Sequence, residues 1–242
     1  MTTLLLIHAF PLDASMWAPQ ANTVGGDAQL VAPHLPGFGG TAPVGEVLTM
    51  DDAADHCIAE LDRAGADRAV ICGLSMGGYV AFSMWRRHRD RIGGLLLANT
   101  RAEPDDDAGR ERRRAVAAKA RAGGSEAIAA EPPPLLAEDA DESMWGRVKG
   151  MIRAQSGEGI AAASLGMAER PDSGPILPEI DVPTTVVTSD GDLLIPAEVT
   201  ATLAEAIPGA ELVRLEGAGH LSSLEHTEGF NRALRDLLGR TT

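Results

Sequence analysis

The chain has 242 residues, of which 44% are hydrophobic, and a formal net charge of -14. This is enough apolar material for one large domain with a sizeable core, and the charge excludes nucleic acid and anionic membrane surfaces as expected partners. The opening Met1-Thr2-Thr3-Leu4-Leu5-Leu6-Ile7 has no basic flank and too short an apolar run for a signal peptide. No later run approaches membrane-span length, and two cysteines make no disulfide framework, so a cytoplasmic setting is expected.

In chain order, Leu4 to Ile7 and Gln29 to Ala32 read as strands, each followed by a loop rich in Pro or Gly: Ala9-Phe10-Pro11, then Pro33 to Gly40. Between Met50 and Ala64, the residues Ala54, Cys57, Ile58 and Leu61 recur at helical spacing. The apolar run Ala69 to Cys72 predicts a strand, Tyr79 to Trp85 a helix, and Leu95 to Ala98 another strand. After Pro183 the alternation resumes with a strand at Thr185 to Val187, a helix near Ala197 to Ala206, a strand at Glu211 to Leu215 and a closing helix from Thr227 to Leu238. Alternating strand and helix predicts a parallel sheet in an α/β fold. Residues 101–177 break this pattern with helical stretches alone and are expected to form a cap on a core of residues 1–100 and 178–242. Within the cap, Asp105 to Asp107 begin a helix that Lys119 and Arg121 end before Gly123-Gly124, the charge order that suits the helix dipole. Arg110, Arg112, Arg113 and Arg114 read as a solvated face of that helix.

Gly73-Leu74-Ser75-Met76-Gly77 lies between a predicted strand and a predicted helix, the setting in which a serine stands exposed on a sharp turn as a nucleophile. A serine hydroxyl needs a base, and the base needs an acid to hold its tautomer. Of six histidines, His220 is the leading base, because it follows the Glu211 to Leu215 strand at the sheet edge that carries Ser75. His56, His88 and His226 read as surface residues, and His8 and His34 as residues that orient loop backbone. Asp190 and Asp192 both follow the strand ending at Thr188, with Asp192 preferred. No spacing among the histidines, cysteines and carboxylates resembles a metal site.

With the order Ser75, Asp192, His220, the chain resembles the α/β-hydrolase family over nearly its whole length. The motifs are His8-Ala9-Phe10-Pro11, Gly73-Leu74-Ser75-Met76-Gly77-Gly78, Asp192 four residues before Pro196, and Gly217-Ala218-Gly219-His220. The resemblance implies an oxyanion hole from the backbone N–H groups of Phe10 and Met76, and no cofactor. It also implies about six strands in a mostly parallel sheet, the first two strands of the usual eight being absent, with an edge that another subunit could cover. Ala9, Ser189 and His34 depart from residues common in the family.

The resemblance is to small capped carboxylesterases and 3-oxoadipate enol-lactonases, which implies cleavage of a carboxylic ester or lactone through an acyl-enzyme. Serine at the elbow speaks against epoxide hydrolases and haloalkane dehalogenases, which use aspartate there. Carbon-carbon hydrolases rank second, since they commonly carry Trp after the catalytic histidine where this chain has Leu221. An acyltransferase or cyclase, and a ligand-binding receptor with slow or no turnover, are the remaining alternatives. The expected pocket draws on Phe10, Trp17, Met76, Trp145 and Leu221, with few charges pointing inward, and so fits a neutral, small to medium apolar substrate.

Overall fold

The computed structural model describes residues 2–24, 26 and 28–241. Six strands form one sheet: β1 (Thr3–Ile7), β2 (Gln29–Val31), β3 (Ala69–Leu74), β4 (Ile92–Ala98), β5 (Thr184–Ser189) and β6 (Glu211–Leu215). Their order across the sheet is β2-β1-β3-β4-β5-β6, and every neighbouring pair is parallel. The central strands β1, β3 and β5 are buried along their whole length, whereas β6 at the edge is exposed at Glu211, Leu212 and Arg214. This explains why the central strands read as unbroken apolar runs, as strands covered on both faces must.

The helices outside the long β4 to β5 connection are α1 (Ala18–Val24), α2 (Met50–Arg63), α3 (Met76–His88), α7 (Ala197–Ala206), the short α8 (Ser222–Glu225) and α9 (Thr227–Arg240). Helix α2 begins with a capping box in which Thr49 and Asp52 satisfy each other's backbone N–H groups. It buries Ala53, Ala54, Cys57, Ile58 and Leu61, the periodic face expected from sequence. Cys57 and Cys72 are buried free thiols, both pushed up by desolvation.

The β4 to β5 connection holds α4 (Asp107–Ala130), α5 (Glu142–Arg153) and α6 (Gly157–Ala168). The break expected at Gly123-Gly124 is present as a kink: Gly124 has φ 67° and ψ −169°, and helix continues beyond it to Ala130. Helix α6 packs on α4 and has nine of its residues buried, so it joins the insertion to the rest of the molecule. The Leu48 N–H donates to the Ala162 carbonyl, and the Gly39 N–H donates to the Gln155 amide oxygen. Gln155 also donates to Asp13, on the loop after β1. Backbone meets backbone directly where Gly159 rests on Gly37, and a Cβ on Gly159 would lie 2.0 Å from the Gly37 oxygen.

Gly159→Ala is therefore expected to destabilise the protein by about 1–3 kcal/mol through overpacking. Gly146→Ala, on α5 with nothing within 4 Å of the new Cβ, is expected to stabilise it by up to about 1 kcal/mol through helix propensity. Thermal unfolding of the two variants should show shifts of opposite sign, roughly 2–4 °C for each kcal/mol at this size.

Candidate active site

Strand β3 ends at Leu74 and α3 begins at Met76, leaving Ser75 alone to make the turn at φ 56° and ψ −112°. A non-glycine residue there costs on the order of 1–3 kcal/mol, which the surroundings must offset. The Ser75 N–H donates to the Ala98 carbonyl, and the Thr100 hydroxyl donates to the Ser75 carbonyl. The turn is so tight that a Cβ on Gly73 would lie 2.2 Å from the Gly77 oxygen, and one on Gly77 would lie 2.2 Å from the Ile7 oxygen. The flanking glycines therefore answer to close approach of backbone, since neither has a positive φ.

His220 and Asp192 meet beyond the ends of β6 and β5, both buried, with Nδ1 and Oδ2 2.8 Å apart. An ionised carboxylate only accepts, so His220 carries its proton on Nδ1 and keeps Nε2 free. Asp192 is held from both sides, because its Oδ1 accepts the N–H groups of Leu194 and Ile195 at 2.9 and 3.0 Å. Burial alone would raise its pKa. The bonds from His220, Ile195 and Asn99 outweigh burial and hold the carboxyl below its ordinary value. Asp190, the alternative acid, faces elsewhere and accepts the Gly217 N–H at 2.8 Å.

Asn99 is a site residue that sequence reasoning missed. It follows β4 with φ 45°, a conformation asparagine tolerates better than most residues. Its amide donates to Asp192 Oδ2 at 2.9 Å and to the Ser189 hydroxyl at 2.6 Å, and its oxygen accepts from the Ser222 hydroxyl at 2.6 Å. Ser189 in turn donates to the Gly219 carbonyl at 2.5 Å. The loop carrying His220 is also fastened to the insertion. Glu225 accepts the N–H groups of Ala137 and Gly219 at 2.7 and 3.1 Å, and the Leu221 N–H donates to the Leu135 carbonyl.

His8 and His34 order backbone as expected. His8 Nε2 accepts the Leu35 N–H at 3.1 Å, so its Nδ1 donates to the Ala9 carbonyl, and burial lowers its pKa to about 4. His34 Nδ1 accepts the Ala14 N–H. Among the described residues, no protein acceptor takes the N–H of Phe10 or of Met76.

Ser75, His220 and Phe10 line one cavity of about 290 Å³, together with Tyr79, Val116, Ile128, Leu135, Met167, Leu194 and Ile195. Four expected lining residues lie elsewhere, the first being Met76, which is fully buried off the cavity at the start of α3. Trp17 is core, with its ring 5.9 Å from that of Phe230. Leu221 is fully buried off the cavity. Trp145 lines a separate outer cleft with Pro132, Pro134 and Lys149, and Pro132 lines both spaces, so the proline segment is the wall between them. The expectation of few inward charges also needs correction, because Arg101, Arg113, Lys119 and Glu131 line the cavity. Arg113 does not share the solvated face expected for that run of arginines, because it donates through Nε to the buried Asp105 at 3.1 Å. The helix turn carrying Arg113 and Val116 faces inward across from α6. One-dimensional charge patterning does not reveal this.

Asn99→Ala is expected to cost about 1–3 kcal/mol, because it strands the Ser222 hydroxyl and removes one bond each to Ser189 and Asp192. Chemical denaturation would measure the loss. Acid provides a second check. Burial tends to raise the Asp105 carboxyl, but Arg170 and Arg113 bring it down to about 2, and Asp192 is likewise depressed. Their stabilisation is present above the unfolded value near about 4 and is lost as pH falls through the folded values. Asp105→Asn should thus be less stable at neutral pH and show a shallower decline in Tm below about pH 4 than the parent.

A family model for the alpha/beta hydrolase fold matches residues 2–227. The pimeloyl-[acyl-carrier protein] methyl ester esterase of Aromatoleum aromaticum is 26% identical, covering 97% of each chain. Among solved structures, a thermophilic esterase from Thermogutta terrifontis, determined with malate bound, is 38% identical with a TM-score of 0.96, over 100% of this chain and 90% of that one. The enol-lactonase from Burkholderia xenovorans is 28% identical with a TM-score of 0.89, over 98% and 91%. The chain belongs to the α/β-hydrolase fold family and is an enzyme of that family.

Proposed function

We propose that the protein is a serine hydrolase that cleaves a carboxylic ester or lactone through an acyl-enzyme on Ser75, with Asp192 and His220 completing the triad. The observation that carries this reading is the buried Asp192–His220 hydrogen bond of 2.8 Å, whose imidazole faces the same cavity as the strained Ser75 turn. The named activities of the relatives, an esterase acting on a methyl ester, a thermophilic esterase and an enol-lactonase, support the same reaction class.

In the cycle, Ser75 Oγ attacks the carbonyl carbon while His220 Nε2 takes its proton. Asp192 stabilises the imidazolium that results. Negative charge on the tetrahedral oxygen is met by the free N–H groups of Phe10 and Met76, the latter at the positive end of α3. His220 then returns the proton to the leaving alcohol, or to the alkoxide of an opening lactone that stays tethered. Water, deprotonated by His220, attacks the acyl-enzyme and releases the acid. Residues 101–177 act as the cap, and their side chains on α4, the proline segment and α6 supply the roof of the cavity.

The test is hydrolysis of a panel of p-nitrophenyl esters and simple lactones, paired with labelling by a fluorophosphonate. The parent should turn over members of the panel and gain a single adduct on Ser75. Ser75→Ala and His220→Gln should each lose at least about 10³-fold in kcat. Folded parent protein that neither turns over any ester or lactone nor takes the label would overturn the assignment.

A further inference from the structure

The charged side chains that line the cavity, Arg101, Arg113, Lys119 and Glu131, are more positive than negative. Asp105 is buried among three guanidinium groups. Arg170, itself buried, binds both carboxylate oxygens at 2.9 and 3.0 Å, and its guanidinium lies 4.2 Å over the Tyr79 ring. That pair is charge-neutral, with both terminal guanidinium nitrogens of Arg170 on the carboxylate. Arg113 reaches Asp105 only through Nε, which leaves its two terminal nitrogens with no protein acceptor among the described residues. Arg101 stands 3.6 Å from Asp105 and beside the Tyr79 phenol, and its Nε is buried without a partner. Apart from Asp105, the acid that faces Arg101 is Glu103. Lys119 is matched by Glu131 at 2.6 Å and adds no net charge.

Arg101 and Arg113 also line a second space of about 210 Å³, which shares Val116 and Leu194 with the first and adds Asp105, Gly109 and the exposed Arg112. Arg101 and Arg113 thus stand between the two spaces, in a chain whose overall charge is -14. Keeping two half-buried guanidinium groups against an apolar cavity is costly unless an anion completes their hydrogen bonds.

We propose that the substrate carries a carboxylate distal to its scissile ester or lactone bond, and that Arg101 and Arg113 are the residues that select it. The planar fork of a guanidinium matches a carboxylate in both charge and shape. The apolar lining near Ser75 then takes the carbon chain between the two ends. This inference rests on the hydrolase reading above and replaces the neutral substrate expected from sequence.

The experiment compares the mono-p-nitrophenyl ester of glutaric acid with its terminal carboxamide analogue, subtracting the background measured with Ser75→Ala. The parent enzyme should favour the carboxylate by at least about tenfold in kcat/KM, chiefly through KM, and rising ionic strength should erode the preference. Arg113→Gln and Arg101→Gln should each reduce that ratio by roughly fivefold or more, with Arg113→Lys retaining part of it. A parent ratio near or below one would overturn the proposal while leaving ester hydrolysis intact. So would a ratio unchanged in both folded glutamine variants, since the arginines would then serve only to neutralise Asp105. If a variant fails to fold, the parent ratio and its salt dependence still decide. Folded parent protein inert toward both esters would sink the hydrolase reading and this inference together.

Discussion

The hydrogen bond from His220 Nδ1 to Asp192 Oδ2 joins the loops that leave β6 and β5, and the geometry of the site depends on it. Both side chains are buried, so neither can exchange its partner for water, and an unpaired carboxylate there would be costly. Asp192 therefore collects backbone N–H donors from Leu194 and Ile195 and an amide from Asn99. Each of these bonds also restricts where the imidazole can lie. In a parallel sheet every strand's carboxyl end faces the same way, so Ser75, Asp192 and His220 gather at one edge though they are far apart in sequence.

Around this bond the structure joins core and insertion through few but specific contacts. Asn99 connects the ends of β4 and β5 to the start of α8, and Glu225 clamps the His220 loop to Ala137. Gln155 reaches the loop after β1 and the Gly39 turn, so the segment that presents Phe10 is braced from the same insertion that roofs the cavity. Moving the insertion would thus disturb His220 and Phe10, the proposed base and oxyanion donor, together. Its own interior rests on Asp105 and Arg170, whose neighbours Arg101 and Arg113 give the cavity its charged wall.

Much of this was legible in the sequence because the signals are local. Central strands buried on both faces read as apolar runs, the α2 face repeats at helical spacing, and the Ser75 turn needs glycines on both sides. The order of Ser75, Asp192 and His220 could be read because each follows its own strand. What escaped depends on three-dimensional placement. Trp17 and Leu221 are adjacent in sequence to site loops but turn into the core, and Trp145 faces outward past the proline segment. Arg113 lies in a run of arginines that looks solvated until α4 is seen packed on α6, which points one of the run at the cavity. Asn99 announces itself only as a polar residue after a strand, and its role needs the partners from β5 and α8.

The central claim is that Ser75 is acylated during turnover, and rapid-quench mass spectrometry with a p-nitrophenyl ester tests it most directly. The account predicts a burst of p-nitrophenol accompanied by the acyl mass on the peptide containing Ser75, with the acyl-enzyme decaying at the steady-state rate. Steady product release with the acyl mass on a different residue would contradict it.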